Sequence, residues 1–153
     1  MLRRLQAVPV VLRRLRAVLE GLILPRVAAF KPDLIVLQAG ADALFEDPLS
    51  RLALSNNAHR AVLAALRPIC RGRLSTLFGC GGDRDAGKRS VMGEIASRLS
   101  DVVYVTSDNP RSEDPSAIIE EIIKGTRSNT AVVHSCVDRS EAIHDAISEA
   151  RIG

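Results

Sequence analysis

Tryptophan is absent from these 153 residues, and one tyrosine with three phenylalanines gives an aromatic share of 3%. Platforms that stack single-stranded bases have almost nothing to be built from, so no nucleic-acid partner is expected. No apolar run approaches the ~20 residues of a membrane span, so no membrane partner is expected either. The three cysteines, Cys70, Cys80 and Cys136, are odd in number and lack CxxC or Cys/His spacing. That excludes a disulfide framework and fits a reducing compartment. A secretory signal is also missing, because the early apolar stretches break at Pro9 and Pro25 and no small-residue cleavage site follows. A cytoplasmic chain is expected. The Arg-rich, acid-poor start also resembles a transit peptide, but such peptides are usually Ser-rich and this segment is not.

What is present is the composition of one ordinary globular domain: 46% hydrophobic, 25% charged, ten glycines and seven prolines. With so few aromatics the core must be aliphatic. The net charge of +3 hides an asymmetry. Six arginines (Arg3, Arg4, Arg13, Arg14, Arg16, Arg26) face the single acid Glu20 in residues 1–30, so the basicity is an N-terminal feature.

Val10–Leu24 predicts an amphipathic helix that packs on a core through Val11, Leu15, Val18, Leu19 and Leu22. Four short aliphatic, β-branched runs read as buried strands: Asp33–Leu37, Leu74–Phe78, Val102–Val105 and Ala131–His134. Helical patterns separate them. Asn56–Leu66 stops before Pro68, and Lys88–Leu99 carries Met92, Ile95, Ala96 and Leu99 on one side. Ile118–Ile123 follows an Asp114 cap with Pro115 in its first turn, and a last helix starts at Asp138 with Glu141 as capping-box partner, burying Ala142, Ile143, Ala146 and Ile147. This alternation predicts an α/β fold: one domain over 1–153, a mostly parallel, Rossmann-like sheet of about four strands flanked by helices, plus the N-terminal amphipathic helix. In such sheets ligands bind at loops after the carboxyl ends of strands, here Gly40–Leu54, Gly79–Gly87 and Thr106–Asp114.

Gly82–Lys88 satisfies the GxxxxGK spacing of a phosphate-binding loop in the required strand-loop-helix setting. Arg89, however, stands where a Ser or Thr hydroxyl should hold Mg²⁺, and Asp83 and Asp85 bring negative charge toward any phosphate, so a Gly-rich turn with solvated charges is the plainer reading. In the following loop, Asp108-Asn109-Pro110-Arg111 sets a rigid Pro beside an Asn with donor and acceptor and an Arg whose planar fork suits a carboxylate. That is a set for gripping an amino acid, or else a solvated turn that caps the next helix.

The stretch FGCGGDRDAGKRSVMGEIASRLSDVVYVTSDNPRSEDPSAIIEEIIKG (Phe78–Gly125), and more loosely residues 61–153, resembles the C-terminal domain of the Mur ligases, in the branch that adds meso-diaminopimelate to a UDP-N-acetylmuramoyl dipeptide. The resemblance implies an amino-acid-gripping domain of an ATP-dependent, peptide-bond-forming ligase of peptidoglycan synthesis. It further implies that the DNPR box, Asp108, Asn109, Pro110 and Arg111, recognises the diaminopimelate and that Arg84 contacts it. The family's ATP-binding and UDP-binding domains have no room in 153 residues, and the chain stops at Gly153, before the segment that completes the family's pocket. Ala17–Leu66, by contrast, resembles a late segment of the histone deacetylase and acetoin-utilisation superfamily, in which the Asp of the GADAL motif, here Asp42, is a zinc ligand. Catalytic zinc needs about three protein ligands. No Asp-x-His occurs here and His59, His134 and His144 are scattered, so Asp42 reads as a turn or cap residue and no metal or other cofactor is expected.

Two mutually exclusive resemblances, meeting near residue 60, predict a recombined or engineered chain: a deacetylase-like helix-strand-loop segment over 1–60 joined to a ligase-like segment over 61–153. No complete active site and no evolved catalytic function are then expected. The alternatives are a diaminopimelate-recognition module and, more remotely, a zinc-hydrolase relic or a basic helix that binds acidic surfaces. The expected partners are a weakly held carboxylate, sulfate or phosphate at Arg84 and Arg111, and a second copy paired through an uncovered sheet edge.

Overall fold

The structure, a computed structural model, describes residues 17–30, 57–127 and 130–150. The chain divides into two compact units, Met1–Ile69 and Cys70–Gly153. In the first, a π-helical turn over Leu19–Ile23 runs into helix α1, Leu24–Phe30, and helix α2 spans Asn57–Leu66. The N-terminal helix therefore does not stop before Pro25, as its sequence predicts. A proline inside a helix lacks an N–H and crowds the carbonyl four residues earlier, and the wider π turn just ahead of Pro25 relieves both defects. Arg26 Nη1 donates to the Leu22 carbonyl oxygen at 3.0 Å, giving that group a partner. Val18, Leu22 and Ile23 stay exposed, so Val18 and Leu22 are not the core contacts expected of them. Val11, Leu15, the strand Asp33–Leu37 and Asp42 lie outside the described residues.

The second unit alternates strand and helix: β1 Ser75–Phe78, α3 Gly87–Leu99, β2 Val102–Thr106, α4 Pro115–Thr126, β3 Val132–Cys136 and α5 Arg139–Ser148. Among the described residues the sheet has three strands in the order β1-β2-β3, all parallel, with Phe78 opposite Val105 and Val105 opposite Ser135. This is the parallel α/β architecture that the alternation predicts. The middle strand is buried along its whole length, from Val102 to Thr106. Such a strand needs apolar residues on both faces, which is why it reads as a continuous run, VVYVT, rather than an alternating one. Helices α3 and α4 pack on each other and reach β2, while α5 lies along all three strands. Met92, Ile95, Ile118, Ile119 and Ile122 fill the layer between sheet and helices.

The helix ends follow their cap chemistry. Asp114 accepts the Ser116 N–H at 3.0 Å with Pro115 in the first turn, and Asp138 accepts the N–H groups of Ser140 at 2.7 Å and Glu141 at 3.1 Å. Glu141 does not complete a capping box, because its carboxylate instead accepts from the Cys136 thiol at 3.3 Å. Three expected buried positions are also corrected: Val132 opens the strand in an exposed position, and Ile143 and Ile147 are exposed. Helix α5 turns Ala142 inward, and the residue one step along a helix lies 100° away, so the apolar positions next to it cannot share its face.

Candidate functional site

Because β1 and β2 are parallel neighbours, the loops that follow them, residues 79–86 and 107–114, leave the same edge of the sheet. This is the edge at which open α/β sheets bind ligands. The two loops are tied together by direct bonds. The Gly82 N–H donates to the Asn109 carbonyl at 2.9 Å, and Arg111 Nη1 donates to the Gly82 carbonyl at 2.6 Å. Asp83 accepts the Ser112 hydroxyl at 2.6 Å and the Ser112 N–H at 3.3 Å, while its own N–H donates to Glu113 Oε1 at 2.6 Å. The turn over Pro110 closes through Glu113 N–H to the Pro110 carbonyl at 3.0 Å, and Arg139, at the start of α5, donates to the Ser107 carbonyl at 3.0 Å. Asp83 and Arg111 both hold φ at 51°, a left-handed backbone that side-chain-bearing residues rarely adopt.

This geometry disposes of the phosphate-loop reading of Gly82–Lys88. Asp83 is taken up by Ser112, and Asp85 Oδ1 accepts the N–H of Gly87, the first residue of α3, at 2.9 Å. Both acids are hydrogen-bonded, Asp83 remaining exposed as the sequence suggests and Asp85 half-buried. Arg89, at the position where a Mg²⁺-binding hydroxyl would stand, is only 2% exposed. It bonds both oxygens of Glu113, at 2.8 and 2.9 Å, and Glu121 Oε2 at 2.9 Å. Hydrogen bonds from Arg89 first, and from the Asp83 N–H second, pull the Glu113 carboxyl below its ordinary range. A carboxyl with a lower pKa when folded stabilises the native state above its unfolded value of about 4.3 and loses that contribution as pH falls through the depressed value. Thermal melts from about pH 7 to about pH 3 should therefore show the parent converging on Glu113→Gln toward acid. A difference that stays constant with pH would contradict this assignment.

The sequence-predicted residues come together only in part. Arg84 is half-buried and Arg111 exposed, and both side chains pass over Gly81: a Cβ placed there would lie 2.8 Å from Arg111 Nη1 and 3.8 Å from Arg84 Cγ. A side chain at Gly81 would press against Arg111, so the glycine keeps this space open beside both arginines. Asp108 and Asn109 are exposed beside them and Pro110 is half-buried. Sequence reasoning missed Glu113, Glu121 and Ser112, and it treated Arg89 only as a defect in a motif. No spacing pattern links residues 89, 113 and 121, which meet only through the packing of α4 on α3.

Elsewhere, a pocket of about 140 Å³ between β2, β3 and α5 is lined by Tyr104, His134, Cys136, Asp145 and Glu149 among others. None of the expected site residues reaches it. The Tyr104 hydroxyl donates to Glu149 Oε2 at 2.8 Å, and burial foremost, then this bond, push its pKa to about 12. All three cysteines are free thiols, and burial raises Cys80 to about 11, the pKa of an inert core thiol. Among the described residues no three His, Cys, Asp or Glu side chains are grouped to hold a metal, and no helix is long and apolar enough to cross a membrane.

Comparison with known proteins identifies the relatives of this arrangement. The UDP-N-acetylmuramoyl-L-alanyl-D-glutamate–2,6-diaminopimelate ligase of Chromobacterium violaceum is 53% identical over 93 residues, covering 61% of this chain and 18% of its own length. The ligase of the same name from Brucella melitensis is 45% identical over 133 residues, 86% of this chain and 25% of its own. That of Parasynechococcus marenigrum is 42% identical over 149 residues, 95% of this chain and 30% of its own. The chain thus spans under a third of the length of these curated relatives. The last two matches run through the supposed joint near residue 60, and they overturn the reading of a recombined or engineered chain without function. Residues 52–153 match the family described as Mur ligase, glutamate ligase domain, and the chain belongs to the Mur ligase family.

Proposed function

We propose that this chain is the amino-acid-recognition part of an ATP-dependent ligase that adds meso-diaminopimelate to a UDP-N-acetylmuramoyl dipeptide in peptidoglycan synthesis, acting in the cytoplasm. The observation that carries this reading is that Arg84 and Arg111 both border Gly81, at the carboxyl edge of two adjacent parallel strands. Two arginines bordering one glycine suit a carboxylate, because a guanidinium presents a planar fork of donors. Arg111 spends one N–H on the Gly82 carbonyl, which sets the plane of its fork and leaves the others to the ligand. Asn109 contributes an amide that can donate and accept, Asp108 a carboxylate suited to an ammonium group, and Pro110 a stiff turn that holds both in place. The contribution to the reaction is orientation. Gripping one end of the amino acid presents its free amine to the acyl group and removes the entropy of finding it.

Arginines open to water, as Arg111 is, gain little from one carboxylate, so affinity is expected to be millimolar or weaker, about −4 kcal/mol. Sulfate or phosphate should compete at the same place. The test is an NMR titration with meso-diaminopimelate on the parent and on Arg111→Ala. Shifts at Gly82–Asp85 and Asp108–Ser112 that vanish in the variant are the expected result. Shifts that persist in Arg111→Ala, or none at all at tens of millimolar ligand, would overturn the reading.

A further inference from the structure

We infer that Glu113, with Arg89 as its counter-ion, is the positioning residue that holds the two ligand-facing loops in register; this rests on the reading that those loops grip an amino-acid carboxylate. Glu113 stands at the end of the DNPR turn, which its N–H closes onto the Pro110 carbonyl. Its carboxylate works across the gap. Oε1 accepts from the Asp83 N–H at 2.6 Å and from Arg89 Nη2 at 2.8 Å, and Oε2 accepts from Arg89 Nη1 at 2.9 Å. One side chain on the β2–α4 loop therefore bonds the backbone of the β1–α3 loop and the first turn of α3 at once.

The two strained residues show what this clamp does. Asp83 and Arg111 sit one on each loop, both at φ 51°, and such conformations persist only where the surroundings over-determine them. Asp83 is held by Glu113 and Ser112, both from the opposite loop, and Arg111 is held by the Gly82 carbonyl, again across the gap. Arg84 follows Asp83 directly, so the backbone direction fixed at Asp83 decides where the Arg84 side chain starts toward Gly81. Arg89 anchors the arrangement to rigid elements. It is rooted in α3, is 2% exposed, and also bonds Glu121 on α4 at 2.9 Å. Both Glu113 oxygens are occupied by these partners, so the residue acts on the ligand through the placement of Arg84 and Arg111.

The experiment compares the parent, Glu113→Gln and Glu121→Gln by two-dimensional NMR, thermal melting and meso-diaminopimelate titration. Glu121→Gln strips Arg89 of its other carboxylate but touches neither loop, so it controls for loss of stability. In the parent the Asp83 amide proton should resonate far downfield, because it donates a short bond to a carboxylate. In Glu113→Gln that resonance should move upfield and the dissociation constant should rise about tenfold, as small misplacements of binding groups do. In Glu121→Gln both should stay where they are in the parent, to within about twofold, even if the melting temperature falls. Should Glu113→Gln not fold, Glu113→Asp replaces it, keeping the charge opposite Arg89 while withdrawing from Asp83, with the same expected changes. A parent that binds, beside a folded Glu113 variant that binds equally well, overturns the positioning claim alone. A parent that does not respond to meso-diaminopimelate overturns the ligand reading and this inference with it, and equal weakening in the Glu121 variant would reduce the effect to stability.

Discussion

Alanine at Gly125 or Gly93 is expected to destabilise the second unit by about 2–3 kcal/mol, although both positions lie inside helices. In an open helix the same replacement gains about 1 kcal/mol, since alanine loses less conformational freedom on folding. Here the sign reverses. A Cβ at Gly125 of α4 would collide with the Ser90 carbonyl oxygen on α3, and a Cβ at Gly93 of α3 would collide with the Ile122 carbonyl oxygen on α4. Backbone cannot swing aside as a side-chain tip can, so the two helices must separate, and Ile122, now fully buried, loses its close neighbours. The two sites share one contact, so the double variant should cost less than the sum of the singles. Urea unfolding of the parent and the three variants measures this. A gain in stability for either single replacement would show that α3 and α4 do not approach as closely as described.

The second large effect is expected at Arg89. Replacing it with methionine keeps most of the volume but leaves Glu113 and Glu121 facing each other without their cation, at a cost of about 3 kcal/mol. The value sits at the low end for a broken buried pair because the two carboxylates are 35% and 41% exposed, so water takes over part of their solvation. Replacing both acids as well, in Arg89→Met/Glu113→Gln/Glu121→Gln, should recover part of the loss, since no uncompensated charge then remains. A loss below about 1 kcal/mol for Arg89→Met would place these contacts among ordinary surface ion pairs.

The parts of the fold legible in the sequence are those set by short-range chemistry. The runs LSTLF, VVYV and AVVH read as strands, although only VVYV is buried throughout, and the caps Asp114-Pro115 and Asp138 mark their helices to within a residue. At the candidate site, residue types alone pointed to the DNPR loop as a carboxylate grip or a solvated turn, and only the resemblance to the Mur ligases added Arg84. Where the reading went wrong, two signals competed locally. Proline argued for a helix end at Leu24, and the chain instead passed it by widening one turn. The alternating apolar positions of α5 offered two neighbouring faces, and only the sheet could choose between them. A deacetylase-like stretch at Ala17–Leu66 outweighed the ligase pattern because a strand-loop-helix unit of one α/β enzyme looks much like that of another.

Taken alone, the sequence determined the α/β class, the order of strands and helices in the second unit, and the caps of α4 and α5, because each depends on residues within a few positions of one another. It could not determine that β1 and β2 lie side by side, that Arg84 and Arg111 both border Gly81, or that Arg89 is a buried partner of Glu113 and Glu121 rather than a spoiled phosphate loop. Those facts arise from groups about 25 to 30 residues apart in the chain. Only the parallel pairing of the strands, and the close packing of α4 on α3, brings such groups within hydrogen-bonding distance, and no periodicity records that approach.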